Sequence, residues 1–401
     1  FTGRREKFYT ITKMRPVDQQ WQKNAKIDTG KSIDIFLKLK HNENKLSYRF
    51  MEELPKKNAL DHERMFFMRL KLSVLDQSPI AEGMTAEEAL ANTVRLAQFV
   101  EKLGYERFWV SEHHDTNSLA GSSPEVLLGH IGAKTSRIRI GSGGVMLPHY
   151  SAYKVAENFK VLAGLHPGRV DLGVGRAPGG MPIATIALQE GKRRDIDRYP
   201  EQIDDLLAYL HNDLPEKHPL HGLKATPNVQ TAPDVWLLGS SSSTALLAAQ
   251  KGLPYVFAQF INGEGGEYYT KLYRERFIPS KYLDKPRNMV AVFAICAETE
   301  EKAEWVASSL DLSLLMIEQG MMSNGTPSPE KAMAYPYSPY ERKRVVENRK
   351  RMIVGTPKQM KEQLFRLSEA YETDEIMLVT ITYDFQDKLT SFQLIAEEVW
   401  G

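Results

Sequence analysis

The string Trp109-Val110-Ser111-Glu112-His113-His114 ends an apolar run in a carboxylate and two imidazoles. An imidazole titrates near neutral pH, so one of the pair could take or give a proton during a reaction. Metal binding fits poorly, because neighbours on a strand point to opposite faces and no spaced third ligand follows; no metal is expected. A solvated or structural pair would carry the same letters. A second string, Gly239-Ser240-Ser241-Ser242-Ser243-Thr244, follows the apolar run Val235 to Leu238 and opens a helical pattern. Hydroxyls and free N–H groups at a helix start can cradle a phosphate, although a serine cap with loop serines gives the same run. Arg176 and Arg198 strengthen the phosphate reading, since a guanidinium offers a fork of donors to a dianion. Either arginine alone would be an ordinary surface ion pair. Gly143-Gly144 would let backbone approach a flat ligand, and Met146 with Val145 and Leu147 offers a soft apolar surface for a ring. A loop glycine pair and plain core filler are the competing readings.

These groups need elements to position them. From Arg69 onward, short β-branched runs alternate with helical patterns. The spacing predicts strands at 70–75, 107–110, 138–142, 169–174, 235–238, 255–258, 289–297 and 375–380. Helices are predicted at 85–103, 124–135, 153–165, 199–210, 243–251, 268–277, 300–315, 358–371 and 389–399. The first has a capping-box start, Thr85 with Glu88, and a glycine stop at Gly104. Eight strands, nearly all followed by a helical crossover, imply an α/β fold, a (β/α)8 TIM barrel. A segment at 319–342, rich in Pro, Gly and Ser, is expected as a lid or insertion over the barrel mouth between strands seven and eight. In such a barrel the reactive groups sit at the C-terminal strand ends, where the two strings above fall.

Composition narrows the partners. A net charge of +1 gives no reason to expect nucleic acid or an anionic membrane. The charge is uneven: residues 1–67 hold 15 Lys and Arg against 9 Asp and Glu, so the remainder is acidic. That basic stretch lacks a clear period and reads as an extension outside the barrel, which would span 68–401. The lone Cys296, inside an apolar run, excludes an intrachain disulfide and suggests a buried thiol in a reducing compartment. No run approaches the roughly 18 to 20 apolar residues of a membrane helix, and no secretory core is visible; a cytoplasmic location is expected.

Four motifs, in order, carry a resemblance: Gly104-Tyr105-Glu106-Arg107-Phe108-Trp109-Val110-Ser111-Glu112-His113-His114, Gly141-Ser142-Gly143-Gly144-Val145-Met146-Leu147-Pro148, Pro167-Gly168-Arg169-Val170-Asp171-Leu172-Gly173-Val174-Gly175-Arg176-Ala177-Pro178-Gly179, and Trp236-Leu237-Leu238-Gly239-Ser240-Ser241. From Met68 onward the chain resembles the non-luminescent, single-chain bacterial luciferase-like flavin-dependent monooxygenases. The resemblance implies reduced FMN bound at the C-terminal face of the barrel. It implies His113 as the active-site histidine, managing a proton in chemistry with O2 through a C4a-peroxyflavin. Arg176, Arg198, Ser241 and Thr244 align with its phosphate contacts, within the cradle that Gly239 and Ser240 begin. Gly143-Gly144 falls at its non-prolyl cis peptide. A homodimer is also implied.

Gly173-Val174-Gly175 lacks the spacing of a nicotinamide fingerprint, so reduced FMN would come from a separate flavin reductase. Luciferase has a reactive Cys where Gly175 stands and an acidic residue where Ser240 stands, so light emission from a long-chain aldehyde is not expected. The organic substrate is a small molecule whose choice is expected to lie in loops 177–195 and 319–342. A deazaflavin (F420)-dependent hydride-transfer enzyme and a non-catalytic flavin-binding protein are the alternatives.

Overall fold

Each long strand has one set of alternate residues facing a helical shell and the other facing a shared lumen. The computed structural model describes residues 70–191, 195–321 and 323–401. The extension expected at 1–67 lies outside the described residues.

The order begins β1 (Lys71–Asp76), α1 (Ala86–Leu103), β2 (Arg107–Val110), α2 (Pro124–Lys134), β3 (Arg139–Met146), α3 (Ala152–Leu165) and β4 (Val170–Gly175). A short helix α4 (Pro182–Leu188) precedes α5 (Tyr199–His211), β5 (Asp234–Gly239), α6 (Ser242–Lys251), β6 (Tyr255–Ala258), α7 (Gly266–Arg276) and β7 (Asn288–Cys296). Then come α8 (Glu300–Glu318), α9 (Pro329–Ala334), α10 (Pro339–Arg349), β8 (Met352–Gly355), α11 (Pro357–Ala370), β9 (Glu375–Val379) and α12 (Phe385–Trp400). All strand pairs are parallel. Pairing runs from β1 through β7 in sequence order, then passes through β9 back to β1, with Lys71 opposite Glu375. This closes an eight-stranded barrel, the expected (β/α)8 fold.

The alternation fills two cores. Leu72 and Val74, Phe108 and Val110, and Leu172 and Val174 face the helices. Leu75, Trp109, Trp236, Met289, Ala291, Phe293 and Met377 face the lumen. Cys296 belongs to the outer core, and burial pushes its thiol up to about 12.

The insertion departs from its expected form. Residues 319–342 are not irregular throughout: they contain α9 and the start of α10, and β8 follows. The prolines that read as breakers are first-turn residues. Ser328-Pro329 and Ser338-Pro339 each place a capping serine before a helix, and Ser338 with Glu341 completes a capping box. Strand β8 pairs with the upper half of β7, from Phe293 to Cys296, outside the closed ring. The insertion is tied to the mouth at both ends. Thr326 exchanges backbone hydrogen bonds with Ile80 and Glu82 (2.7 and 2.9 Å), and Gln259 Nε2 donates to the Lys350 carbonyl (3.4 Å).

The lower lumen is closed by charge and indole. Arg107 donates through Nη1 to Asp171 (2.8 Å) and through Nε to Glu375 (2.7 Å), linking β2, β4 and β9. Asp171 also accepts from Trp109 Nε1 (3.0 Å) and Arg139 Nε (3.1 Å). Burial works against the Asp171 charge, yet Arg107 and Arg139 hold its carboxyl below the usual range. Trp109 and Trp236 meet edge to face at 5.7 Å, and the guanidiniums of Arg107 and Arg287 lie 5.3 and 4.6 Å from the Trp236 ring. A ligand entering the barrel therefore stops above this floor. Asp171→Ala would leave buried Arg107 without one of its two carboxylates. Urea unfolding should show a loss of about 3 to 5 kcal/mol, and a loss under 1 kcal/mol would remove this network from the fold's foundations.

Candidate active site

The histidine pair lies in the segment just after β2, and its two rings take different partners. Ser111 and Glu112 are buried, and the backbone is pinned where His113 N–H donates to Gly121 O (2.8 Å) and His114 N–H to Gly179 O (2.9 Å). His113 Nδ1 pairs with Ser111 Oγ at 3.0 Å, which leaves Nε2 as the nitrogen available to a ligand. His114 Nε2 instead turns to Glu112 Oε1 at 2.8 Å. Glu112 is 1% exposed and has two further partners: Tyr150 OH on Oε1 (2.8 Å) and the Met146 N–H on Oε2 (3.0 Å). Its carboxylate thus ties the end of β2 to the end of β3.

Burial, and then the neighbouring charge of His114, push the His113 imidazole down to about 4. One imidazole of the two is expected from the sequence to titrate near neutrality, and His113 does not: it is neutral at ordinary pH. It offers one N–H and one lone pair, without a charge. Among the described residues, no cluster of three or more His, Cys, Asp or Glu could hold a metal ion.

Strand β3 runs four residues beyond the expected 138–142. Its Gly143–Gly144 peptide is cis, and its register against β4 shifts between Gly143 and Val145. Both glycines are required by close packing. A Cβ on Gly143 would lie 2.6 Å from Leu75 Cδ1, and one on Gly144 would lie 2.6 Å from Leu238 Cδ1 and 2.8 Å from the Gly173 carbonyl oxygen. Met146 is buried, with Gly175 and Gly179 packed over its side chain. At Gly175 a Cβ would make ordinary contact with Met146 at 3.5 Å, so the position has room for a small side chain.

Across the mouth, Gly239 ends β5 where Thr244 folds back so closely that a Cβ would fall 2.4 Å from its Oγ1. Ser241 caps α6 without a side-chain hydrogen bond, leaving the first-turn amides uncapped by any side chain. Its Oγ instead meets Ser243 Oγ at 2.9 Å, and Arg176 Nη2 donates to Ser243 Oγ at 3.2 Å. Asn262 Nδ2 donates to the Ser240 carbonyl (3.0 Å) and steadies the turn from the β6 side. Tyr199, at the start of α5, is 3% exposed, and its hydroxyl has no hydrogen-bond partner among the described residues. Burial raises that hydroxyl's pKa, and the charge of nearby Arg176 opposes the rise. A helix start, a guanidinium, two hydroxyls and an orphaned buried phenol form a donor set suited to a phosphate dianion.

Arg198 directly precedes Tyr199 and shows no hydrogen bond to Ser241, Ser243 or Thr244. Its Nε donates to Glu201 Oε2 (2.9 Å) and the side chain is mostly exposed, an ion pair three residues apart at the helix start. Glu112, Tyr150, Tyr199 and Asn262 were not singled out as site residues from the sequence. Glu112 alone stood inside a motif. The others are separated in sequence from the groups they serve, and no spacing joins them.

Comparisons with known proteins identify the family. Residues 68–373 match the family described as luciferase-like monooxygenase. The chain belongs to that family. The Bacillus subtilis protein YwcH, named only as uncharacterized, is 61% identical over 328 residues, covering 82% of this chain and 98% of its own. The N-acetyl-S-alkylcysteine monooxygenase of Bacillus subtilis is 41% identical over 333 residues, covering 82% of this chain and 98% of its own. The crystal structure of apo-MsnO8 superposes with a TM-score of 0.75 at 36% identity, covering 82% of this chain and 98% of that one.

The low value for His113 has a measurable sign. Its folded-state pKa lies below the unfolded value of about 6.5, so the fold favours the neutral ring. Stability is unaffected above that value and declines as pH falls from about 6.5 toward 4, where the unfolded chain takes a proton that the folded one refuses. NMR of the His113 ring should show no titration between pH 6 and 8 and a midpoint near 4. A midpoint near 6.5 would contradict the neutral assignment.

Proposed function

We propose that the chain is a flavin-dependent monooxygenase using reduced FMN and O2. The observation that carries the reading is the pairing of a candidate anion cradle at the start of α6 with the half-buried, neutral His113 just after β2, within a luciferase-like barrel. The donor set fits FMN. Arg176, Ser241, Ser243, Tyr199 and the first-turn amides of α6 would hold its phosphate, and the Gly143–Met146 segment would border its ring.

When bound and reduced, the flavin supplies two electrons, so that one atom of O2 enters the substrate and the other leaves as water. The chain's own contribution is positional and protic. His113 holds one proton without charge, and Ser111 fixes which nitrogen engages the reacting oxygen. Glu112 keeps the His114 ring and the Met146 backbone in place. The packed floor of Trp109 and Trp236 limits the depth of the site and excludes water from below.

The relative named N-acetyl-S-alkylcysteine monooxygenase supports a small S-alkyl cysteine derivative as the substrate class. Reduced FMN would be delivered by a separate flavin reductase. Two chains would pair as a homodimer, a state supported by exposed Val126, Val161 and Leu165 on the adjacent helices α2 and α3.

Two measurements test the reading. FMN should bind with at least tenfold preference over a deazaflavin, and Arg176→Ala should weaken it about 10- to 100-fold through loss of a charge-assisted contact. Preference for the deazaflavin would transfer the assignment to a hydride-transfer enzyme. His113→Ala should lower turnover about 10²- to 10⁴-fold while leaving FMN affinity within a few-fold. Lost flavin binding with unchanged residual turnover would overturn the role of His113.

A further inference from the structure

The segment between β4 and α5 has an unusual composition for its exposure. Helix α4 reads Pro-Ile-Ala-Thr-Ile-Ala-Leu and buries none of its residues. Met181, Ile183 and Ile186 are 60%, 67% and 62% exposed. A seven-residue helix is too short to persist in water on its own propensity, and an exposed cluster of large apolar side chains marks a contact surface.

Both ends of the segment are fastened to the candidate active site. At its start, Gly179 O accepts from His114 N–H (2.9 Å), Gly180 bridges to His114, and Gly179 packs against Met146. One buried imidazole then grips the two ends together: His149 Nε2 pairs with Pro178 O (2.8 Å), and Nδ1 faces Gln189 Nε2 (3.2 Å). His149 is 3% exposed and follows directly on the β3 end that carries Met146. Positive-φ residues flank the helix on both sides, Gly179 (+67°) before it and Glu190 (+52°) and Gly191 (+69°) after it. Such positions are where a short segment can turn as a unit. Polar clamps hold the ends while the apolar middle is left without cover.

We propose that residues 179–189 form a strap over the mouth, with Met181, Ile183 and Ile186 closing on the alkyl group of the substrate and setting its preferred length. The occupant follows from continuity. The strap starts at the His114 backbone and is held again by His149, so on closing it would carry its apolar face over whatever lies beside His113 and Met146. This rests on the flavin monooxygenase reading above. His149 is a positioning residue here, acting through Pro178 and Gln189.

The test uses the full chain with oxidised FMN and N-acetyl-S-alkylcysteines from S-methyl to S-hexyl. Cys296 is the lone cysteine and is buried, so Ile186→Cys takes an environment-sensitive dye at a single accessible thiol. FMN binding is read separately from its own fluorescence. With FMN bound, the dye emission should shift to the blue as the S-alkyl chain lengthens. In turnover, kcat/KM should climb about fourfold per methylene, and Ile183→Lys with Ile186→Lys should flatten that series. His149→Ala should weaken the dye shift without changing FMN affinity.

If FMN does not bind, the flavin reading fails and the strap falls with it. If FMN binds but the dye stays silent across the series, or the lysine variant keeps the slope, the strap alone is overturned. A shift that depends on protein concentration and not on ligand would assign the apolar face to a second copy of the chain and also overturn it.

Discussion

One buried carboxylate, Glu112, holds the barrel mouth together. It stands between the two groups that chemistry needs, next to His113 in sequence and hydrogen-bonded to the Met146 backbone in space. A carboxylate buried this deeply must have its acceptor capacity used, and Tyr150, His114 and Met146 use it. This arrangement fixes the second histidine as a structural partner and frees the first to meet a ligand. Adjacent imidazoles thereby acquire different partners, one a carboxylate and the other a serine hydroxyl.

The barrel divides physically at the level of its tryptophans. Below, Arg107 is neutralised by Asp171 and Glu375, and the indoles fill what remains of the lumen. Above, the strand ends carry glycines, hydroxyls and a guanidinium, groups that leave space or donate hydrogen bonds. A buried ion network adds little net stability over an apolar core, but leaving one partner unpaired is costly, so the floor tolerates little change. The mouth is built for the opposite tolerance. Its loops meet through a few polar clamps, such as His149 on Pro178 and Gln189, and can differ in length while the strand ends stay fixed.

Much of this was legible before any coordinates. The β-branched runs alternating with helical periods gave all eight strands of the closed ring, two of them, 107–110 and 255–258, with matching limits. The α6 cradle and the histidine pair were visible because each is local, a few consecutive residues at a strand end. What escaped the sequence was either non-local or disguised. Strand β8 is short and pairs only with the upper half of β7, and α10 buries only Asn348, so no apolar period announced either. The Pro and Ser that make 319–342 look irregular include two helix starts, Ser328-Pro329 and Ser338-Pro339. The neutral state of His113 depends on desolvation by its surroundings, and Tyr199 comes near Arg176 only through the fold. Arg198, next to Tyr199 in the chain, pairs with Glu201 at the helix start.

The measurement that bears most directly on the whole account is a single turnover of the chain with reduced FMN, isotopically labelled O2 and an N-acetyl-S-alkylcysteine, with the product weighed by mass spectrometry. The expected result is one labelled oxygen atom in the organic product, with O2 consumed in step with it. Unlabelled product, or complete return of the oxygen as hydrogen peroxide with the substrate untouched, would contradict oxygen transfer at the His113 site.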